Sequence, residues 1–232
     1  MAVVKDVGIV LKEIKVGESN KRLILLTQKQ GKVVVFARGA GKTHSKLAPR
    51  KMAFYEFMFF DGGQFLSLNQ VSGIKSFGNI TSCYEAFCVC VFFLELLEKT
   101  IFVGMDAKDA LRLLLLAFGK LDKCADGDSD PKLIFAAFVF KFLQFEGFEP
   151  VMDINNDCYF FGEEGFGDKG PLELNHTAWL ALEYILNADI NKVFSFRASG
   201  DVLLMLCRAA VLFLKANLDL EIKSLELLPF TN

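Results

Sequence analysis

Metal-binding residues are scarce in this sequence. It contains two histidines, and its six cysteines fall mostly inside apolar helical stretches without the spacing of a disulfide framework. Cys83, Cys88 and Cys90 lie five and then two residues apart, spacings that on a helix do not place four ligands around a tetrahedral zinc ion. We therefore expect reduced, buried thiols, no bound metal and no other cofactor.

Long apolar runs are also missing. The longest uninterrupted one, from Ala86 to Leu94, falls well short of the roughly 20 residues that a membrane-spanning helix needs. The first residues contain no apolar signal core. We expect a cytoplasmic protein that does not contact membranes. The 25 phenylalanines predict a folded chain with a large core.

A nucleotide-binding loop lacks its first glycine. Gly41-Lys42-Thr43 resembles the end of a P-loop, whose backbone N–H groups wrap phosphates, but the position of the first glycine holds Phe36. Pro49 follows soon after, and no long amphipathic helix begins at Lys42. The stretch therefore favours a plain basic loop that follows a buried strand.

The charges separate along the chain. Residues 1–80 carry 13 basic and 5 acidic side chains, a net charge of +8, whereas residues 81–232 carry 13 and 23, a net charge of −10. A compact basic module favours a polyanion such as nucleic acid as its partner. We predict a basic domain over residues 1–78 and a second, acidic domain over residues 79–232.

The first domain has the pattern of a small β-barrel. Strands are predicted over residues 4–15, 21–27, 32–37, 52–60 and 65–71, and no helix lies between them. Five short strands in this arrangement fit an OB-type barrel. An SH3-like barrel is the alternative, because the number of strands does not separate the two.

The second domain is predicted to be helical. Helices are expected over residues 84–102, 107–123, 131–146, 176–186 and 200–216, with the first as a central helix of a bundle. Asp106 is a candidate N-cap, and Pro131 takes the first position of the third helix. Residues 151–172 are predicted to form a loop or a small sheet. The fold class is thus α+β, an N-terminal five-stranded barrel followed by an all-helical domain.

Several motifs resemble those of the bacterial recombination mediator RecO family. In the first domain they are Gly17-Glu18-Ser19-Asn20, Leu25-Leu26-Thr27, Gly31-Lys32, Val35, Ala37-Arg38-Gly39-Ala40 and Ser45-Lys46-Leu47. In the second, Leu143 with Gly147-Phe148 and Pro150 resembles the family's helix-ending motif, and Ile222-Lys223-Ser224 with Leu227-Leu228 resembles its C-terminal tail. The similarity therefore touches both ends of the chain.

The resemblance implies a bacterial DNA repair protein that is not an enzyme. Members of this family bind single- and double-stranded DNA and anneal complementary strands. They also contact single-strand-binding protein and load a recombinase together with RecR. The resemblance therefore implies these partners and a place in the cytoplasm at the nucleoid.

The family's zinc site is incomplete in this sequence. Many relatives carry two Cys-x-x-Cys pairs in the segment that corresponds to residues 151–172. Here Cys158 is kept, Phe161 stands where the second cysteine belongs, and no second pair follows. Since one thiolate does not hold a structural zinc ion, we expect a segment without zinc. The aromatic residues expected to hold it by packing are Tyr159, Phe160, Phe161 and Phe166.

A second departure concerns a protein partner. Relatives often place arginines just before a phenylalanine of the third helix, where they bind the acidic tail of single-strand-binding protein. Here Ala136 and Ala137 precede Phe138. Contact with that tail is therefore expected to use other cations, with Arg112, Lys132 and Lys141 as candidates.

The predicted nucleic-acid site is a groove on the barrel. Its expected residues are Arg38, Lys42 and Lys46 on the loop after the third strand, with Lys21, Arg22 and Lys32 on the adjoining hairpin. Arginine holds two phosphate oxygens and lysine acts as a mobile charge, so such a groove binds without reading sequence. Tyr55 and Phe57 are candidates to stack on bases, although aromatic runs of this kind more often form core.

Two other function classes fit parts of the sequence. One is a structural adaptor whose helical domain binds proteins while the barrel binds no nucleic acid. The other is an enzyme that uses Glu163, Glu164 and Asp168 as a carboxylate group. Those acids lie in a glycine-rich stretch without a histidine or a basic partner, which favours a solvated loop.

Overall fold

The first domain is a closed five-stranded barrel. The computed structural model describes residues 2–42, 45–63, 66–150, 152–155, 158–161 and 172–230. The barrel strands are β1 (Ala2–Val16), β2 (Asn20–Thr27), β3 (Gly31–Ala37), β4 (Ala53–Asp61) and β5 (Leu66–Ser76). Their order around the barrel is β1-β2-β3-β5-β4, with β4 returning to β1.

The closure between β3 and β5 identifies the barrel as an OB type. These two strands pair in parallel, through Val35 with Leu66 and Phe36 with Ser67, whereas the other neighbours are antiparallel. A Greek-key barrel with this strand order is the OB fold, so the SH3-like alternative is wrong. β1 borders both β2 and β4 and bends at an irregularity between Val10 and Lys12, which lets one long strand serve both sides.

Alternation along each strand gives the barrel two apolar faces. Val33 and Val35 point inward to the barrel core with Leu23 and Leu25 of β2. On the outer face, Ile24 and Leu26 belong to the same buried cluster as the helices. One core therefore continues from the barrel wall into the second domain.

The second domain consists of helices around a phenylalanine-rich core. Its helices are α1 (Tyr84–Thr100), α2 (Lys108–Leu121), α3 (Pro131–Phe145), α4 (His176–Asn187) and α5 (Gly200–Asn217). A 3₁₀ turn over Gly78–Ser82 connects the barrel to α1, and another over Lys223–Leu227 follows α5. The largest fully buried side chains of the described residues are all phenylalanine, seven of them on α1, α2 and α3.

The helix ends agree with their expected capping residues in most places. The Asp130 carboxylate accepts a hydrogen bond from the backbone N–H of Lys132 at 2.8 Å, and Pro131 opens α3. Gly147 ends this helix in a left-handed conformation, with the N–H of Phe148 bonded to the Leu143 carbonyl. This is the helix-ending motif expected from the sequence.

α3 has 12 of its 15 residues buried, whereas α1, expected as a central helix, leaves Tyr84 and Phe87 exposed. One helical expectation is wrong. The N-cap of α2 is Ala107 rather than Asp106. The Asp106 carboxylate still accepts a hydrogen bond from the N–H of Lys108 at 3.1 Å, so the shift is one residue.

Residues 152–174 contain a small sheet, which was one of the two structures expected for this segment, the other being a loop. It pairs β6 (Met152–Asn155), β7 (Cys158–Phe161) and β8 (Leu172–Leu174) in that order. The aromatic packing expected for this segment falls outside the described side chains. Across the described part of the chain, no helix combines the length and apolar character needed to cross a membrane.

Candidate nucleic-acid interface

The barrel topology brings most of the exposed cations of the first domain to one end. β1, β3 and β5 end here, and β2 and β4 begin here, because neighbouring strands are antiparallel except β3 and β5. We call the exposed cations there the basic rim: Lys15, Arg22, Arg38, Lys42, Lys46, Arg50, Lys51 and Lys75. Asp6 and Asp61 lie toward the other end together with Lys5 and Lys29, so the excess of positive charge is at the rim.

The start of the loop between β3 and β4 is fixed by the turn between β1 and β2. The backbone N–H of Gly39 donates to the Asn20 side-chain oxygen at 3.0 Å, and the N–H of Gly41 donates to the Ser19 carbonyl at 2.9 Å. Gly39 has a φ of +68°, and a Cβ on Gly41 would lie 3.1 Å from the Ser19 backbone. These contacts explain why small residues surround Arg38. They also engage the Gly41 N–H, which a phosphate-binding loop would need free.

The middle of the same loop is anchored by apolar and hydroxyl side chains. Leu47 packs against the barrel core, and Pro49 is buried. The Ser45 hydroxyl accepts a hydrogen bond from the N–H of Leu47 at 3.2 Å. Lys46, between these anchors, is exposed. The loop therefore turns its apolar residues inward and its cations toward solvent.

Lys21 and Arg22 of the hairpin do not act as one pair. They are consecutive on β2 and point to opposite faces. The Lys21 ammonium lies 2.5 Å from the Glu13 carboxylate, so a neighbouring acid already holds it. Arg22 is exposed beside Ile14 and Phe36 on the outer face. Arg22 belongs to the basic rim, and Lys21 contributes less positive charge than the sequence predicts.

Lys32 is not available to a phosphate backbone, contrary to the sequence prediction. It lies opposite Leu26 on the outer face of the barrel, where Leu26 packs against the helices, and it is 8% exposed. Its ammonium donates to the carbonyl of Glu98 and to that of Ile101 at 2.8 Å, at the end of α1. Burial lowers the pKa of Lys32, although the Glu98 carboxylate partly opposes this effect. Lys32 is thus a contact between domains that caps a helix C-terminus.

The two aromatic candidates for stacking differ sharply in exposure. Phe57 is fully buried in the barrel core, so its assignment as a stacking residue is wrong. Tyr55 is half-buried, and its hydroxyl accepts a hydrogen bond from the N–H of Arg50 at 2.8 Å. Tyr55 therefore stays a candidate, at the edge of the basic rim.

The three candidate cations of the helical domain have different surroundings. Lys141 is buried, and its ammonium donates to the Leu186 carbonyl at 2.7 Å and to Gln144 at 2.9 Å, so it is not a surface contact. Burial lowers the pKa of Lys141, against the attraction of Asp189. Lys132 lies 3.4 Å from the Glu85 carboxylate and over the Phe230 ring. Arg112 is exposed and donates to the Asn191 side chain at 3.0 Å.

Four cations of the basic rim were not among the residues predicted from the sequence. Arg50 and Lys51 end the same loop as Arg38, and their position in the sequence gave a signal that they share its end of the barrel. Lys15 lies opposite Lys21 in the register of β1 and β2. Lys75 joins them only because β5 runs antiparallel to β4, which brings it opposite Phe54. That pairing depends on barrel closure and has no local signal.

The residues of the predicted zinc-free segment and of the carboxylate group lie mostly outside the described part of the chain. Glu163, Glu164 and Asp168 lie outside the described residues, as does the Cys158 side chain. Within the described residues, no three side chains of the metal-binding types come together. The expectation of a segment without zinc stays a prediction.

Comparison with known proteins gives consistent matches over both domains. A family model for the N-terminal domain of recombination protein O matches residues 1–77, and one for its C-terminal domain matches residues 82–226. A DNA repair protein RecO from Clostridium acetobutylicum is 28% identical, covering 98% of both chains. One from Acetivibrio thermocellus is 27% identical, covering 94% of this chain and 93% of its own. One from Streptomyces coelicolor is 30% identical, covering 71% of this chain and 68% of its own.

Proposed function

Because this chain belongs to the RecO family of DNA repair proteins, we propose that its basic rim binds the phosphate backbone of DNA. The observation that carries the proposal is the gathering of exposed cations from three strands and one anchored loop at a single end of the barrel. Arg38 and Lys46 are the central residues. They lie on the best-anchored part of the loop and within the motifs shared with the family.

The chemistry of the rim fits binding that does not depend on base sequence. Arginine forks hold two phosphate oxygens, and lysines neutralise neighbouring phosphates as mobile charges. Single and double strands both present such a backbone. We propose that two complementary strands anneal on this protein because bound cations reduce their mutual repulsion, and that binding takes place at the nucleoid. The protein itself supplies no catalytic step.

The protein partners are part of the same proposal. We propose that the protein works with RecR and with single-strand-binding protein in loading a recombinase. For the acidic tail of single-strand-binding protein, Arg112 is the best placed of the three candidate cations, because its guanidinium is exposed and has a neutral partner. Lys132 already pairs with Glu85, and Lys141 is buried.

The proposal is tested by fluorescence anisotropy of a labelled single strand across a salt series. If about six phosphates are contacted, the affinity should fall with salt with a log–log slope of roughly −4. The double variant Arg38→Glu, Lys46→Glu should bind about tenfold more weakly or worse at low salt and show a shallower slope of about −3.

A matched control uses two exposed lysines away from the rim. Lys5→Glu, Lys29→Glu changes the net charge by the same amount at the other end of the barrel, and we expect it to bind DNA nearly as the wild type does. An equal loss of DNA affinity in the two double variants would show that net charge, and not the position of the cations, determines binding. Unchanged binding by the Arg38→Glu, Lys46→Glu variant would favour the adaptor function instead.

A further inference from the structure

A cleft of about 550 Å³ lies beside the basic rim, between the end of the β3–β4 loop and the end of β5. One wall is formed by residues 50–53, and the other by residues 73–78. The walls are joined by strand pairing of Ala53 with Ser76 and by a 3.0 Å hydrogen bond from the Phe77 N–H to the Met52 carbonyl. The cleft is therefore a preformed feature of the sheet.

The first wall has an unusual backbone that directs its cations outward. Met52 has a φ of 59°, the one positive value for a non-glycine residue in the described part of the chain. Its side chain packs against the helical core, while Arg50 and Lys51 just before it are exposed. A methionine in the left-handed region is uncommon, and such residues cluster at functional sites. Here this conformation lets one residue anchor the loop while its neighbours line the cleft.

The polar groups that line the cleft are suited to phosphate. Arg50, Lys51 and Lys75 are all exposed along its walls, and the described lining residues include no carboxylate. The Lys75 ammonium lies 5.0 Å from the centre of the Phe77 ring, a cation–π contact that holds the side chain in place. The N–H of Arg50 is fixed on the Tyr55 hydroxyl.

The cleft also offers an aromatic surface. Tyr55 pairs with Gly73 across β4 and β5, and Gly73 has no side chain to cover the ring. A Cβ added to Gly73 would lie 3.9 Å from the ring atom Cε1 of Tyr55. A larger side chain at position 73 would therefore occupy the space beside the ring.

We propose that this cleft takes one nucleobase of a DNA single strand, stacked on Tyr55, with the flanking phosphates held by Arg50, Lys51 and Lys75. The inference rests on the proposed function, because it extends the strand from Lys46 past the loop and onto the β4–β5 face. It adds a contact to the base itself, which phosphate binding at the rim does not require. Stacking of this kind accepts any base, since every base has an aromatic face.

The test compares two strands of about 12 nucleotides, within the span of OB-type sites. One is a thymidine strand and the other has the same backbone with every base removed. Wild-type protein should bind the thymidine strand more tightly, by roughly fivefold to a hundredfold for one stacked base. Gly73→Leu fills the space over Tyr55 without changing charge, so it should bring the two affinities close together.

A second variant separates the base contact from the phosphate contacts. Lys51→Gln, Lys75→Gln should weaken binding of both strands while keeping their ratio, and Lys5→Gln, Lys29→Gln serves as the charge-matched control. A strand carrying a photoreactive thiothymidine should crosslink to peptides containing residues 50–55 or 73–78 in the wild type, which needs no variant to fold.

The outcomes distinguish the two proposals. If the wild type binds both strands with equal affinity, or Gly73→Leu keeps the wild-type ratio, or the crosslinks map elsewhere, the base site is overturned while DNA binding at the rim stands. If the wild type binds neither strand at low salt, both proposals fail together.

Discussion

Lys32 has the positive charge that DNA binding needs, but it holds the two domains together instead. Its ammonium is surrounded by the barrel wall and the last carbonyls of α1, where it joins the two domains. The sequence gives its charge and its strand, and alternation along that strand gives its face. What that face packs against depends on residues some 70 positions away, so its role was not predictable from the sequence.

Substitution of Lys32 by methionine keeps most of the side chain and removes the ammonium. We expect Lys32→Met to lower the free energy of unfolding by about 1–3 kcal/mol, because the carbonyls of Glu98 and Ile101 lose their buried donor. Urea unfolding measures this loss. The DNA affinity of the folded variant should match that of the wild type. A loss of affinity as large as that of the Arg38→Glu, Lys46→Glu variant would show that Lys32 contacts DNA.

At the scale of elements, the chain segments with strong local signals were predictable. α3 begins at Pro131 and ends before Gly147, as expected. The turn glycines separate β1, β2 and β3 near their predicted limits. The difference in burial between α1 and α3 was not predictable, because both helices are rich in apolar residues. Burial on every side of α3 comes from the way α2, α4 and α5 pack around it.

The C-terminal tail binds to α1 through the Ile222-Lys223-Ser224 motif. The sequence marked this motif but did not show which residue it contacts. The Glu95 carboxylate on α1 accepts hydrogen bonds from the Ser224 N–H at 2.8 Å, the Ser224 hydroxyl at 2.5 Å and the Lys223 N–H at 3.2 Å. Lys99 pairs with the same carboxylate at 2.8 Å. Partial burial alone would raise the pKa of Glu95, but these donors outweigh it and lower the pKa to about 2.

Substitution of Glu95 by glutamine should therefore have a pH-dependent effect on stability. The folded pKa lies below the ordinary value of 4.5, so the ionised carboxylate stabilises the fold above about pH 4.5, and this contribution is lost as the pH falls toward about 2. Thermal unfolding should show Glu95→Gln less stable than the wild type at pH 7, with the difference shrinking below pH 4.5. Glu226→Gln, an exposed carboxylate on the same tail, is the control. A constant difference at every pH would contradict this role.

At the scale of the whole molecule, the two domains share their packing. Ile9, Leu11, Ile24 and Leu26 of the barrel belong to one buried cluster with the helices, and the Lys12 ammonium lies 3.2 Å from the Glu98 carboxylate across the junction. The sequence predicted two modules from the split in charge. It did not predict that the outer wall of the barrel would form part of the helical core. The alternation of apolar and polar residues along a strand identifies an apolar face but not the element that packs against it.

A shared core predicts that the barrel and the helices unfold together. Hydrogen exchange measured by mass spectrometry in rising urea should show peptides of β2 and α3 losing protection at the same denaturant concentration. The single tryptophan, Trp179 on α4, provides a fluorescence transition that should coincide. Loss of protection in β2 at clearly lower urea would mean that the barrel is an independent unit.

The buried cysteines bear on survival under oxidative stress. Cys88, Cys90 and Cys207 lie within the packed interior, and burial raises the pKa of Cys90 and of Cys207 far above neutral pH. Peroxide attacks the thiolate, so the sulfurs of Cys90 and Cys207 react slowly while the chain is folded. In a DNA repair protein, these two thiols therefore offer little reactivity to an oxidant that damages DNA.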